Sequence, residues 1–151
     1  MMSSIILLLS TVALSFYGVG VIWVMELDVF RTWALLNDIE ELNRVRGAHW
    51  KKLPYFVFAP IGLLLILNIL LLWYHPATTP SSLIWLALCL HLLSDVLTAF
   101  MSGRWQARLT FEHHGPESPL LTQLINTHWI RTLLVTLNGI VLLWAAVVMF
   151  A

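Results

Sequence analysis

Residues 5–25 read IILLLSTVALSFYGVGVIWVM, an unbroken apolar run with no Asp, Glu, Lys or Arg. About 20 residues of helix cross a hydrocarbon core, so this run alone points the chain away from the soluble class. Three more runs of the same kind follow, at about 53–74, 82–103 and 128–150. Each is rich in Leu, Ile and Val and lacks the period-two alternation of barrel strands. Only helices and closed barrels satisfy their backbone in lipid, and four segments cannot close a barrel. The reading is an all-α membrane protein: a single integral membrane domain over residues 1–151, built as a four-transmembrane-helix bundle.

Composition agrees. Apolar residues make up 60% of the 151 and charged residues 11%, whereas soluble domains are about half apolar and a quarter charged. Eight basic residues cancel eight acidic ones, which excludes disorder and argues against nucleic acid as a partner. The single cysteine, Cys89, excludes an internal disulfide or a thiolate metal cluster. The leader Met1-Met2-Ser3-Ser4 has no Lys or Arg, and no Ala-x-Ala-like site follows the first run. That run is therefore expected to stay as a spanning helix rather than to act as a cleaved signal.

The basic residues set an expected orientation. Arg31, Arg44, Arg46, Lys51 and Lys52 lie between the first and second spans, and Arg104 and Arg108 between the third and fourth. The connection at 75–81 and both termini have none. The positive-inside rule assigns the basic side to the cytoplasm of a bacterial inner membrane, with both termini outside. Trp50, Tyr55, Trp73, Tyr74, Trp85, Trp105 and Trp129 fall near span ends, as interfacial aromatic residues do.

The first connection has helical spacing of its own. Leu27, Phe30, Trp33, Ala34 and Leu42 alternate with Asp38, Glu40, Glu41 and Arg44, which predicts a long amphipathic cytoplasmic extension of the first helix. Gly47 is expected to end it, Pro54 to sit in the first turn of the second span, and Pro60 to kink that span. The second connection carries Glu112-His113-His114-Gly115-Pro116-Glu117-Ser118-Pro119, rich in turn signals. Adjacent histidines point apart on a regular backbone, so His113 and His114 read as a solvated loop.

Ionisable groups inside spans are functional candidates by default. His91 and Asp95, four residues apart, share one face of the third span. His128, Arg131 and Asn138 share a face of the fourth, interrupted by the apolar Val135. At 1.5 Å per residue, Asp95 lies ~12 Å above the cytoplasmic end of its span and Arg131 ~5 Å above its own, so an ion pair between them is expected. Glu26 and His49 approach the same level from the first connection. A polar pocket in the cytoplasmic half follows, with His128, Arg131 and Asp95 as catalytic candidates and His91, Asn138, Glu26 and His49 as substrate-binding candidates.

Three readings of that pocket compete. The charges hold the helices together and do nothing else. Alternatively, His128 is a general base beside the anion stabiliser Arg131, with Asp95 or Glu26 orienting the imidazole. In the third, His91, His128, His49 and a carboxylate ligate haem, non-haem iron or copper. No two histidines stand three or four residues apart and no Glu-x-x-His motif lies in a span, so no metal ligand is assigned and the cofactor stays unknown.

The stretch Leu124-Ile125-Asn126-Thr127-His128-Trp129-Ile130-Arg131-Thr132-Leu133 resembles the small four-span membrane proteins grouped with anthrone oxygenases. That family carries a His-or-Asn-x-x-Arg motif at the start of its last helix, matched by His128 and Arg131. Where the family often has Trp one turn earlier, this chain has Leu124. The resemblance implies an oxygenase-like oxidoreductase acting on a hydrophobic small molecule, anthrone- or quinol-like, with an acidic C–H or O–H. The alternatives are a non-catalytic subunit of a larger membrane complex, and a small transporter or lipid-binding protein, expected as a homo-oligomer. The lipid bilayer is the partner in all three.

Overall fold

The computed structural model describes residues 2–36, 38–109 and 118–150. Its elements are α1 (Met2–Ala34), α2 (Ile39–Trp50), α3 (Pro54–Tyr74), α4 (Ser81–Leu109) and α5 (Pro119–Phe150). All but α2 are long and apolar enough to cross a membrane. The chain is an all-helical membrane protein. Successive spans pack against each other and α5 closes the ring on α1, giving an up-down bundle. Outward-facing Leu63, Ile66, Ile140, Leu143 and Trp144 are exposed, the surface expected of helices solvated by lipid tails.

Three sequence expectations are corrected at the ends of these helices. The first extension is not one helix: α1 stops at Ala34, and Asp38, in extended geometry, accepts the backbone N–H of Glu41 at 2.7 Å to start α2 afresh. A capped restart wins because it satisfies an otherwise orphaned N–H. Gly47 does not end α2, which runs on to Trp50. The last span starts at Pro119, not near His128, because Ser118 caps it by accepting from Leu120 and Leu121. His113 and His114 lie outside the described residues. The i,i+3 pair Glu41–Arg44, at 3.6 Å, forms as helical spacing predicts.

Two apolar layers bracket a polar one. Toward the termini, Leu8, Leu71, Ile84, Leu142 and Ala145 pack together. At the other, basic end, Phe30, Trp33, Leu42, Leu109, Leu121 and Leu124 form a plug on which α2 sits. Arg46 pins α2 there: its guanidinium donates to the carbonyls of Gln106 (2.9 Å) and Leu109 (3.1 Å), in the last turn of α4, and faces Trp33 at 6.0 Å. Carbonyls near the C-terminal end of a helix lie toward the negative end of its dipole, which favours a guanidinium there.

Between the layers, α1 and α5 approach closely through small residues. A Cβ on Gly139 would stand 3.1 Å from Val19 Cγ2, so glycine is what permits this spacing. Ser15 donates to Asn138 Oδ1 at 3.0 Å, and Asn138 Nδ2 donates to the Ala87 carbonyl at 2.7 Å. Asn138 thereby ties α1, α4 and α5 together. Helix α3 is held differently. Pro60 has no N–H for the carbonyl four residues back, Phe56, and that carbonyl receives the Tyr17 hydroxyl from α1 at 2.9 Å. Instead of the simple kink expected at Pro60, the backbone takes a π turn over Pro54–Phe58. Further π turns occur at Met25–Val29 in α1 and Thr98–Ser102 in α4.

Candidate functional site

A cavity of about 430 Å³ lies in the polar layer, reached by all four spanning helices. Its size suits a small ligand. The wall is largely apolar, from Val21, Ile22 and Met25 of α1 and Phe56, Ile61 and Leu64 of α3. Most polar groups enter from α4 and α5, His91, Ser94, Asp95 and Thr98 on the first and Arg131 and Asn138 on the second, and Tyr17 joins them from α1. The α4 set recurs at offsets of three and four, so one helix face delivers it.

The sequence expectation that Asp95 and Arg131 share a pocket is met, and the expected ion pair is not. Both line the cavity. The Asp95 carboxylate, however, sits 3.3 Å from His91 Nε2, out of line for a hydrogen bond. Among the described residues nothing accepts a hydrogen bond from Arg131, whose Nε is buried. Starting α5 at Pro119 puts Arg131 about 18 Å into its helix, and ending α4 at Leu109 puts Asp95 about 21 Å from that end. Both helices are longer than expected, so the two residues still reach the same level.

His128 is placed elsewhere. It does not line the cavity. Its ring is fully buried, with Nδ1 2.8 Å from Glu26 Oε2 and Phe30 edge-on at 4.6 Å. Of the two carboxylates considered as orienting groups, Glu26 is the one in contact. Glu26 is itself buried and meets Arg31 at 3.7 Å, with the Arg31 side chain largely exposed. His128 and Arg131 are about 60° apart around the helix, enough for one to face α1 and the other the cavity. His128 Nε2 is buried without a hydrogen-bond partner among the described residues, and the geometry places this imidazole with Glu26 rather than beside Arg131 in the cavity.

The remaining candidates divide as well. Asn138 lines the cavity, but its amide is committed to Ser15 and Ala87. Glu26 is in the His128 pair. His49 lies outside the cavity, edge-on to Trp33 at 5.5 Å, and lines a separate groove between α1 and α3. Burial, and then the charge of Lys52, hold the His49 imidazole below its ordinary pKa. His49, His91 and His128 thus occupy three different environments, and among the described residues no three of His, Cys, Asp and Glu converge as metal ligands would.

Sequence reasoning missed Tyr17, Ser94 and Thr98 as cavity residues. Ser94 and Thr98 carried a signal, because they extend the His91/Asp95 face by one turn. Tyr17 carried none, since its hydroxyl is recruited by a carbonyl that Pro60 frees on another helix. No protein-family model, curated protein or solved structure matches this chain.

Proposed function

We propose that this protein takes a lipophilic, weakly acidic small molecule of the phenol, hydroquinone or anthrone type into its intramembrane cavity, and that the site promotes that molecule's ionisation. The observation that carries this reading is Arg131, a half-buried cation with its Nε enclosed and no hydrogen-bonded acceptor among the described residues, in the same apolar-walled cavity as the His91–Asp95 pair. In low dielectric such a cation favours an anion strongly. The Asp95 carboxylate, with His91 beside it, takes the O–H or C–H proton, and Arg131 holds the resulting oxyanion. Ser94 and Thr98 supply hydroxyls along the same wall.

With dioxygen as co-substrate, a doubly activated methylene goes on to the ketone. The methylene carbon loses both hydrogens and gains one oxygen atom of dioxygen; the other oxygen atom leaves with those two hydrogens as water. Carbon is oxidised by four electrons and dioxygen is reduced by four, so no further reductant is required. That is the oxygenase-like chemistry implied by the resemblance around His128 and Arg131. Base duty passes from His128 to the α4 pair, and the Glu26–His128 pair is left to hold α1 against α5. The positive-inside rule supports placing the α2 end in the cytoplasm of a bacterial inner membrane, with both termini outside.

The test uses protein reconstituted in nanodiscs with a lipophilic naphthol, whose anion absorbs at longer wavelength than the neutral form. Wild type should show the bound naphtholate near neutral pH, and with anthrone it should consume oxygen. Asp95→Asn and Arg131→Met should lose both signals. Identical spectra and oxygen uptake in all three proteins would overturn the proposal.

A further inference from the structure

A second hollow, about 480 Å³, runs along the outside of the bundle between α1 and α3. Phe16, Val24, Val29 and Val57 make it apolar over most of its length. At the end next to α2 it changes character, where His49 and the exposed Lys52 line it. Gly20 lies on its floor, and a Cβ there would meet nothing within 4 Å. His49 Nε2 has no hydrogen-bond partner.

We infer that this groove is the seat of one anionic membrane phospholipid, with an acyl chain lying over Gly20 and the phosphate held by Lys52 beside His49. The order of the features matches the molecule. An apolar trough continues into a cationic end, and that end sits where Trp50 and Tyr55 mark the membrane boundary. Lys51 adds a second exposed cation next to Lys52, so a lipid with net negative charge is favoured over a zwitterionic one. The groove shares Tyr17, Val21, Met25, Leu53, Phe56 and Val57 with the inner cavity. Gly20, His49 and Lys52 line only the groove, and Arg131 only the cavity. The inference therefore does not depend on what the cavity binds.

The experiment is native mass spectrometry of the delipidated protein in neutral detergent. Phosphatidylglycerol, phosphatidylcholine with the same chains, and inorganic phosphate are titrated separately. Wild type should retain one phosphatidylglycerol per chain in preference to phosphatidylcholine. Lys52→Gln, an exposed change, should weaken that adduct about fivefold. Gly20→Leu places its Cβ in open space and extends an apolar side chain into the groove, and should abolish it. Arg131→Met should keep it. Equal retention of the two lipids, displacement by millimolar phosphate, an adduct unchanged in both groove variants, or loss of the adduct in Arg131→Met would each overturn the inference. Far-ultraviolet circular dichroism and size exclusion confirm that each variant is folded.

Discussion

Replacing Arg131 by Met separates stability from ligand recognition. In the structure Arg131 is half-buried, with its Nε enclosed and no hydrogen-bonded acceptor among the described residues, and a long apolar side chain of similar reach would remove the cost of that partial desolvation. Replacing buried charges with packed apolar groups is often neutral or stabilising by about 1–4 kcal/mol. Here the gain is reduced because Asp95 loses a cation from the cavity it shares, so Arg131→Met should leave the unfolding free energy unchanged or raise it by about 1–3 kcal/mol. Ligand binding should respond in the opposite direction. A hydrogen bond to a charged group contributes about 1.5–3 kcal/mol, so affinity for an ionisable naphthol should fall roughly 10- to 150-fold. Its methyl ether, which cannot ionise, should bind both proteins alike. The assays are dodecyl sulfate unfolding in mixed micelles and a fluorescence titration of both probes. If the variant's unfolding free energy falls by more than about 1 kcal/mol while naphthol affinity holds, Arg131 is a structural residue and the reasoning fails.

Asn138→Leu breaks the links to Ser15 and Ala87 and should cost about 1–3 kcal/mol in the same unfolding assay, since interhelical hydrogen bonds in membranes contribute about 0.6–2 kcal/mol each. Gly139→Val should cost about 1–3 kcal/mol by forcing α1 from α5, while Gly20→Ala, facing open space, should stay within about 0.5 kcal/mol of wild type. Arg46→Met removes the guanidinium bonds to the Gln106 and Leu109 carbonyls; amide exchange should quicken over Ile39–Trp50 while the core of α5 stays protected. His49, held below its ordinary value of 6.5, binds fewer protons folded than unfolded. Stability should therefore fall as pH drops through about 6.5 and flatten below the folded pKa, and His49→Phe should reduce that slope between about pH 8 and 5.5.

The four spans were legible because hydrocarbon imposes a length and a composition that each run meets separately. The α4 face was legible for a related reason: His91 and Asp95 lie on regular helix, where spacing translates directly into direction. Helix ends were harder to read. Ser118 and Asp38 each decide where a helix starts, yet a capping side chain is one residue among many polar ones in a connection. The partner of His128 was readable only as a choice between Glu26 and Asp95. That choice depends on which helix α5 turns each face toward, and no periodicity within one segment contains it.

The π turns explain why the apolar wall of the cavity, unlike its polar face, lay beyond a reading by periodicity. Each turn adds a residue to the local repeat, so side chains beyond it are rotated by about 100° from where regular spacing would place them. In α1, α3 and α4 they fall at Met25–Val29, Pro54–Phe58 and Thr98–Ser102, and Met25, Phe56, Val57, Thr98 and Ala99 all line the cavity. On α3 the cause is visible: Pro60 withholds an N–H, the Phe56 carbonyl turns to Tyr17, and the first turns of α3 make at most marginal backbone contact with Thr98–Ser102 of α4. The opening between those two segments admits the apolar wall on one side and Asp95 and Arg131 on the other. A backbone irregularity built into three helices at the level of two poorly paired charges is costly for a bundle selected only to pack. Its placement there is the strongest physical reason to treat the polar layer as a site rather than as glue.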